Sequence, residues 1–222
     1  MNLIFLGDSL MQENGEGTFP QKGWPQALAP YLRKGVEVKD FALNGRSTKS
    51  FLQEGVFEKA LEVVKPKDVC FISFGHNDEK SEDPTRFTDP FTSYEKNLCF
   101  MANELCAKGA KVIFLSSVSR LKYDENGNLL HTHGNYPKAM EEIAKKTSRT
   151  YIDLEKITFD DLSKHDKDYD RSHYMIFGKD EYKNYPEGSN DTTHLNQEGA
   201  KWIVSLLLPY LKKIPELEDA FE

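Results

Sequence analysis

Three short apolar runs, within Leu3–Gly7, Val69–Phe74 and Lys111–Val118, constrain this chain's fold more than any other feature. A strand covered on both faces has no solvent side to alternate toward, so such runs point to a parallel sheet flanked by helices. Segments at helical spacing lie between them. Trp24–Arg33 sets Trp24, Leu28, Tyr31 and Leu32 on one face, with Pro25 tolerated in a first turn. Gly55–Val64 does the same with Phe57, Ala60, Leu61 and Val64. Tyr94–Ala107 carries Leu98, Ala102 and Leu105 and stops at Gly109, and Pro137–Lys146 is a further helix. Asn196–Leu211 is the clearest, with one stripe of Ala200, Ile203, Val204, Leu207, Leu208 and Leu211 and Asn196 as N-cap. Val36–Ala42 and Thr150–Leu154 supply two further strands. Five strands alternating with helices predict a doubly wound α/β sheet.

At 222 residues the chain is expected to form a single domain over 1–222. Two stretches interrupt the alternation. Asp124-Glu125-Asn126-Gly127-Asn128 reads as a turn or small hairpin. Asp160–Asn190 is polar, Tyr-rich and without periodicity, and is read as an irregular functional insertion at about 160–190. With 29 basic and 36 acidic residues, the net charge is −7. That balance argues against a nucleic-acid or anionic-membrane partner, both of which favour basic patches. Cys70, Cys99 and Cys106 read as reduced structural thiols. The start, Met1-Asn2-Leu3-Ile4-Phe5-Leu6, lacks the basic region and long apolar run of a signal peptide, so a cytoplasmic location is expected.

The polar residues that can carry chemistry fall where a doubly wound sheet binds ligands, beyond the carboxyl ends of its strands. Asp8-Ser9 follows the first strand, Asn44-Gly45-Arg46-Ser47 the second, and Gly75-His76-Asn77-Asp78 the third. Asp191-Thr192-Thr193-His194 precedes the last helix. Ser…Asp…His is one of the chain orders in which a serine triad is assembled. Three residues make about one helical turn, enough to bring Asp191 and His194 together. Each residue alone also suits a turn or a helix cap.

Taken together, Gly7-Asp8-Ser9-Leu10, Gly45, Gly75-x-Asn77-Asp78 and Asp191-x-x-His194 resemble, in order, the four blocks of the SGNH or GDSL hydrolases. Lys22-Gly23-Trp24, the run Gly45–Phe51, Phe74–Asp78 and Asn135-Tyr136-Pro137 are most similar to the rhamnogalacturonan acetylesterase branch. The resemblance implies a three-layer α/β/α, flavodoxin-like sheet of five parallel strands. It implies a cofactor-free and metal-free serine esterase with Ser9, Asp191 and His194 as triad. The oxyanion donors it implies are the amides of Ser9 and Gly45 and the side chain of Asn77. The substrate it implies is an O-acetylated plant-polysaccharide oligosaccharide, rhamnogalacturonan fragments first. A xylan-type acetylesterase, a lysophospholipase and a thioesterase are the alternatives on the same triad.

Arg46, His76, Arg120 and His131 are candidate substrate contacts, Arg46 and Arg120 as cations for a uronate and His131 as a loop residue touching sugar. Tyr174 is an aromatic that can stack on a sugar face, whereas Trp24 reads as core. His131-Thr132-His133 has metal-like spacing, but no acid or thiolate accompanies it, and the metal reading is set aside. No phosphate-loop or dinucleotide signature is present.

Overall fold

The apolar runs become the centre of a parallel sheet in a computed structural model that describes residues 1–222. Its strands are β1 (Asn2–Gly7), β2 (Glu37–Asp40), β3 (Val69–Ser73), β4 (Lys111–Leu115) and β5 (Thr150–Ile152), in the order β2-β1-β3-β4-β5. This is the flavodoxin-like order, and all four pairings are parallel.

Alternate residues of the central strands face opposite layers. Leu3, Phe5, Val69, Phe71, Ile113 and Leu115 enter one core, whereas Ile4, Leu6, Cys70, Ile72, Val112 and Phe114 enter the other. The second core is covered by α1 (Thr48–Gln53), α2 (Val56–Val63), α3 (Glu95–Ala107) and α4 (Tyr136–Lys146). The first is covered by α5 (Leu154–Leu162), α7 (Gln197–Leu211) and the segment around Trp24 and Leu28. Phe5 stacks on Phe71 at 4.8 Å and meets Trp24 edge-on at 5.4 Å. Each such buried side chain contributes about 1.5–3 kcal/mol.

Several elements differ from the expectation. Trp24–Arg33 forms two 3-10 turns, Trp24–Ala27 and Ala29–Tyr31, instead of an α-helix. Pro25 and Pro30 each sit in a first turn, and a proline inside a longer helix would remove an N–H and clash with the preceding turn. The short α1 is an addition to the helices expected from periodicity; Ser47 caps it, accepting from Ser50 N.

The stretch 160–190 is not irregular. It holds the end of α5, a one-turn helix α6 (Lys167–Arg171), and β6 (Tyr174–Phe177), which pairs antiparallel with β7 (Ser189–Leu195). Its strands escape the period-2 test because β6 begins with two consecutive buried residues, Tyr174 and Met175, and β7 is built almost wholly from polar residues. Asp124–Asn128 does form a tight turn, closed by a Tyr123–Leu129 bridge.

The ribbon is fastened to α7 by Asn196, as capping predicts and somewhat beyond it. Asn196 Oδ1 accepts from Gly199 N, while its Nδ2 donates to the carbonyls of Ser172 and Tyr174, 2.8 Å each. Gly199 lets the helix approach so closely that an added Cβ would lie 1.9 Å from the His173 carbonyl oxygen. Gly199→Ala is therefore expected to destabilise the protein by at least about 1–3 kcal/mol, the usual cost of overpacking, measured by urea unfolding.

Candidate active site

The chain leaves β1 at Gly7 and folds into a tight turn. Met11 N and Gln12 N donate to the Asp8 carbonyl at 3.1 Å, and Leu10 N donates to Asp8 Oδ1 at 3.1 Å. Ser9 stands in this turn, at the carboxyl end of β1, where the strand order reverses between β1 and β3. That crevice is the place where open α/β sheets bind ligands.

Asp191 and His194 come from β7 and not from a helical turn. In the ribbon, Met175 pairs with Asp191 and the preceding Tyr174 with Leu195, so residues 192–194 bulge out of the ladder. The bulge is closed by Asp191 itself, whose Oδ1 accepts from Thr193 N at 2.8 Å and His194 N at 3.0 Å. Its Oδ2 lies 2.6 Å from His194 Nδ1, and His194 Nε2 lies 2.8 Å from Ser9 Oγ. An ionised carboxylate only accepts, so the network puts the ring proton on Nδ1 and leaves Nε2 to accept from the serine hydroxyl. Partial burial pushes the Asp191 carboxyl up, but His194 and the two amides outweigh it and hold it at about 2.

The bulge and the end of β7 are tied to two neighbouring loops. Leu121 N donates to Thr192 O at 2.9 Å, and Lys22 N donates to Leu195 O at 3.0 Å. Tyr174, expected as a sugar platform, is the first residue of β6 and is fully buried, its hydroxyl donating to Ser119 O at 2.6 Å.

Gly45 and Asn77 lie on the neighbouring loops. Leu43 N donates to Gly7 O, and Asn44 N donates to Gln12 Oε1, so the β2 loop rests on the Ser9 turn. Gly45 has φ +75°, a conformation that L side chains adopt at a cost. The backbone N–H groups of Ser9 and Gly45 have no acceptor in the protein. Asn77 Nδ2 donates to Arg46 O at 3.1 Å, and its Oδ1 accepts from Arg86 Nη1 at 3.2 Å, leaving one amide proton unused.

The four candidate substrate contacts fare differently. Arg46 is half-buried and ties back to Glu54 through Nε and Nη2, at 2.9 and 2.6 Å. His76 is buried and not a surface contact: its Nδ1 lies 3.5 Å from Asp8 Oδ2 and its ring packs edge-on against His133. Burial, then the neighbouring His133, lowers its pKa to about 4 against the pull of Asp8, so it is neutral at neutral pH. Arg120 is mostly buried, paired with Glu79 and donating to His76 O, which removes it from the cationic rim. His131 stacks on Phe159 and contacts Glu155, lining a cavity of about 310 Å³ that contains none of Ser9, Asp191 or His194. His131 and His133 turn to different acids, Glu155 and Glu79.

The sequence reading missed two features. One is the buried string Asp8–His76–His133–Glu79–Arg120 beneath the serine turn. The other is Arg86, which lies against both Gly45 and Asn77. The His131-x-His133 motif was a signal for the first; nothing in the local pattern marked the second. A polar cavity of about 300 Å³, lined by Gly45, Arg46, Ser50, Thr85 and Arg86 among others, opens here and has no hydrophobic residue in its wall. A cavity of about 660 Å³ between Phe19, Tyr31 and the start of α7 includes none of Ser9, Asp191 or His194.

A serine turn at the end of β1, facing a base carried by a ribbon before the last helix, defines a class of hydrolase. Residues 5–202 match the GDSL-like lipase/acylhydrolase family, and the chain belongs to it. It is 33% identical over 212 residues to the rhamnogalacturonan acetylesterase RhgT of Bacillus subtilis (strain 168), covering 95% of this chain and 90% of that one. It is 32% identical over 214 residues to the probable rhamnogalacturonan acetylesterase YesY of the same organism, with 96% and 94% covered. Among solved structures, the protein YxiM from Bacillus subtilis superposes with a TM-score of 0.80 at 22% identity. That match covers 96% of this chain and 56% of YxiM, so the chain spans little more than half of that structure. Axe2, an acetylxylan esterase from Geobacillus stearothermophilus, superposes with a TM-score of 0.65 at 15% identity over 94% of this chain and 92% of that one. At these identities both structures speak for the fold.

The Asp191 interactions set an acid limit on stability. Its carboxyl ionises near 2 when folded and near 3.9 when unfolded, so it stabilises the fold above pH ~4, and that contribution is lost as pH falls toward 2. Asp191→Asn is expected to lower the Tm at neutral pH, and the gap from the parent should narrow between about pH 4 and pH 2 in thermal melts.

Proposed function

We propose that the chain is a serine esterase that removes O-acetyl groups from plant-polysaccharide oligosaccharides, rhamnogalacturonan fragments first. The observation that carries this reading is the continuous hydrogen-bonded chain Ser9–His194–Asp191, at 2.8 and 2.6 Å. A serine hydroxyl is a weak nucleophile without a base in hydrogen-bond reach and a group that orients the base. Ser9 Oγ attacks the acetyl carbonyl as its proton passes to His194 Nε2. Asp191 keeps the ring in the Nδ1–H tautomer and stabilises the imidazolium that forms.

The carbonyl oxygen becomes an oxyanion, and the N–H groups of Ser9 and Gly45 with the free amide proton of Asn77 are the donors for it. His194 then gives its proton to the sugar oxygen as the C–O bond breaks, leaving acetyl-Ser9. Water, deprotonated by the same imidazole, attacks the acyl-enzyme, and acetate and the free serine are released. No cofactor enters this cycle.

Two lines support a carbohydrate substrate over a fatty ester. The relatives at about a third identity over nearly the whole chain carry rhamnogalacturonan acetylesterase names. The cavity beside Gly45, lined by none of Ser9, Asp191 or His194, has a wholly polar wall, so that side of the oxyanion glycine offers an acyl chain no apolar surface. No helix is long and apolar enough to cross a membrane.

Acetate release from acetylated rhamnogalacturonan, xylan and lysophospholipid panels tests the reading. Ser9→Ala is expected to lose at least about 10,000-fold in kcat, and Asn77→Ala about 100- to 1000-fold, with folding intact. Full turnover by Ser9→Ala would refute the nucleophile. Release of long acyl chains with no acetate released would refute the substrate class.

A further inference from the structure

An oxyanion donor on a side chain works only if the side chain is held in one orientation, and a carboxamide has two that differ by a half-turn. At Asn77 the surroundings discriminate between them. In the orientation present, Nδ2 donates to the Arg46 carbonyl at 3.1 Å and Oδ1 accepts from Arg86 Nη1 at 3.2 Å. The flipped amide would set its oxygen against the Arg46 carbonyl and its NH2 against a guanidinium. Both hydrogen bonds would be replaced by repulsions.

Arg86 is itself immobilised. Its Nε donates to Asp83 Oδ2 at 2.6 Å, and Asp83 Oδ1 is held by Thr85 N and Oγ1 at 3.0 and 2.5 Å. The loop bearing Arg86 is stapled at its base, where Thr88 N donates to Asp78 O and Thr88 Oγ1 to Asp78 Oδ1. Arg86 Nη1 is also the nearest atom, at 3.9 Å, to where a Cβ on Gly45 would stand.

We propose that Arg86 is the positioning residue of the oxyanion site: it fixes the Asn77 carboxamide with an N–H free for the oxyanion, and its charge polarises that N–H into a stronger donor. This rests on the esterase reading above. A hydrogen bond to a charged donor strengthens the next bond along the chain. The benefit is greatest when the amide faces an anion, so the effect belongs to the transition state more than to substrate binding.

The test is kinetics on 4-nitrophenyl acetate, a small neutral ester that has no carboxylate for Arg86 to bind. Arg86→Ala is expected to lower kcat about tenfold or more with little change in KM. In the Asn77→Ala background the same substitution should cost nothing further, since there is no amide left to orient. Arg86→Lys carries the charge on a single ammonium that cannot hold Asp83 and Asn77 together, and should fall between parent and Arg86→Ala. Thermal melts run alongside; if Arg86→Ala does not fold, Arg86→Lys in the two backgrounds decides the matter.

An unchanged kcat, or an equal loss with and without Asn77, would overturn the assignment. So would a rise in KM confined to uronate-bearing oligosaccharides, which would make Arg86 a substrate contact. Ser9→Ala is the separate control: its retained activity would refute the esterase reading itself, whereas an inactive Ser9→Ala with a fully active Arg86→Ala would refute only the role of Arg86.

Discussion

The hydrogen bond from Ser9 to His194 joins atoms 185 residues apart in the chain, and the rest of the architecture makes that contact reproducible. On one side stands the end of β1, an interior strand flanked by β2 and β3, buried in both cores and followed by a turn closed on Asp8. On the other stands a two-stranded ribbon outside the sheet, whose own ladder cannot place His194 relative to Ser9. What places it is a set of attachments: Asn196 to the chain at 172 and 174, Leu121 to the bulge, Lys22 to its far end, and Tyr174 to Ser119. Segments that are remote in sequence converge there, so the contact depends on long-range packing and not on any local motif.

Beneath the serine turn, charges are handled differently from the way they are on the surface. Asp8, His76, His133, Glu79 and Arg120 set a pair of histidines between two carboxylates, with Arg120 on the second, in a largely buried region where isolated ions would be costly. His133 faces acceptors from both ring nitrogens, the Val118 carbonyl and Glu79, and Glu79 is drawn below its usual range by that contact in spite of its burial. Asp78 shows the opposite outcome. Burial dominates the hydroxyl and amide donors around it and pushes its carboxyl up to about 7. Neighbours one residue apart thus differ in charge behaviour because one reaches a cation and the other reaches only dipoles.

The parts of this protein legible in its sequence are those where chemistry and local periodicity coincide. Val69–Ile72 and the core of β1 read as buried strands because they carry no charged or strongly polar residue to face water. Ser9, Gly45 and Asn77 then stand out as polar groups at strand ends. Asp191 and His194 were legible as a motif but not as a geometry: their spacing fits one helical turn as well as it fits a strand bulge. Trp24–Arg33 had helical spacing, and its prolines decided the outcome. Arg86 carried no signal, because its partner lies nine residues back across a loop whose closure depends on Asp83, Thr85 and Thr88. His76 and Arg120 were read as surface contacts because a sequence does not say how deep a loop residue lies.

The bulge in β7 has a consequence for motion. Asp191 closes the bulge through Oδ1 and meets the imidazole through Oδ2, so acid and base form one four-residue body whose internal geometry does not depend on the sheet. A tilt of the ribbon would carry both together and alter a single coordinate, the gap to Ser9. The imidazole would keep its tautomer throughout such an excursion and be ready to accept a proton the moment the gap closed.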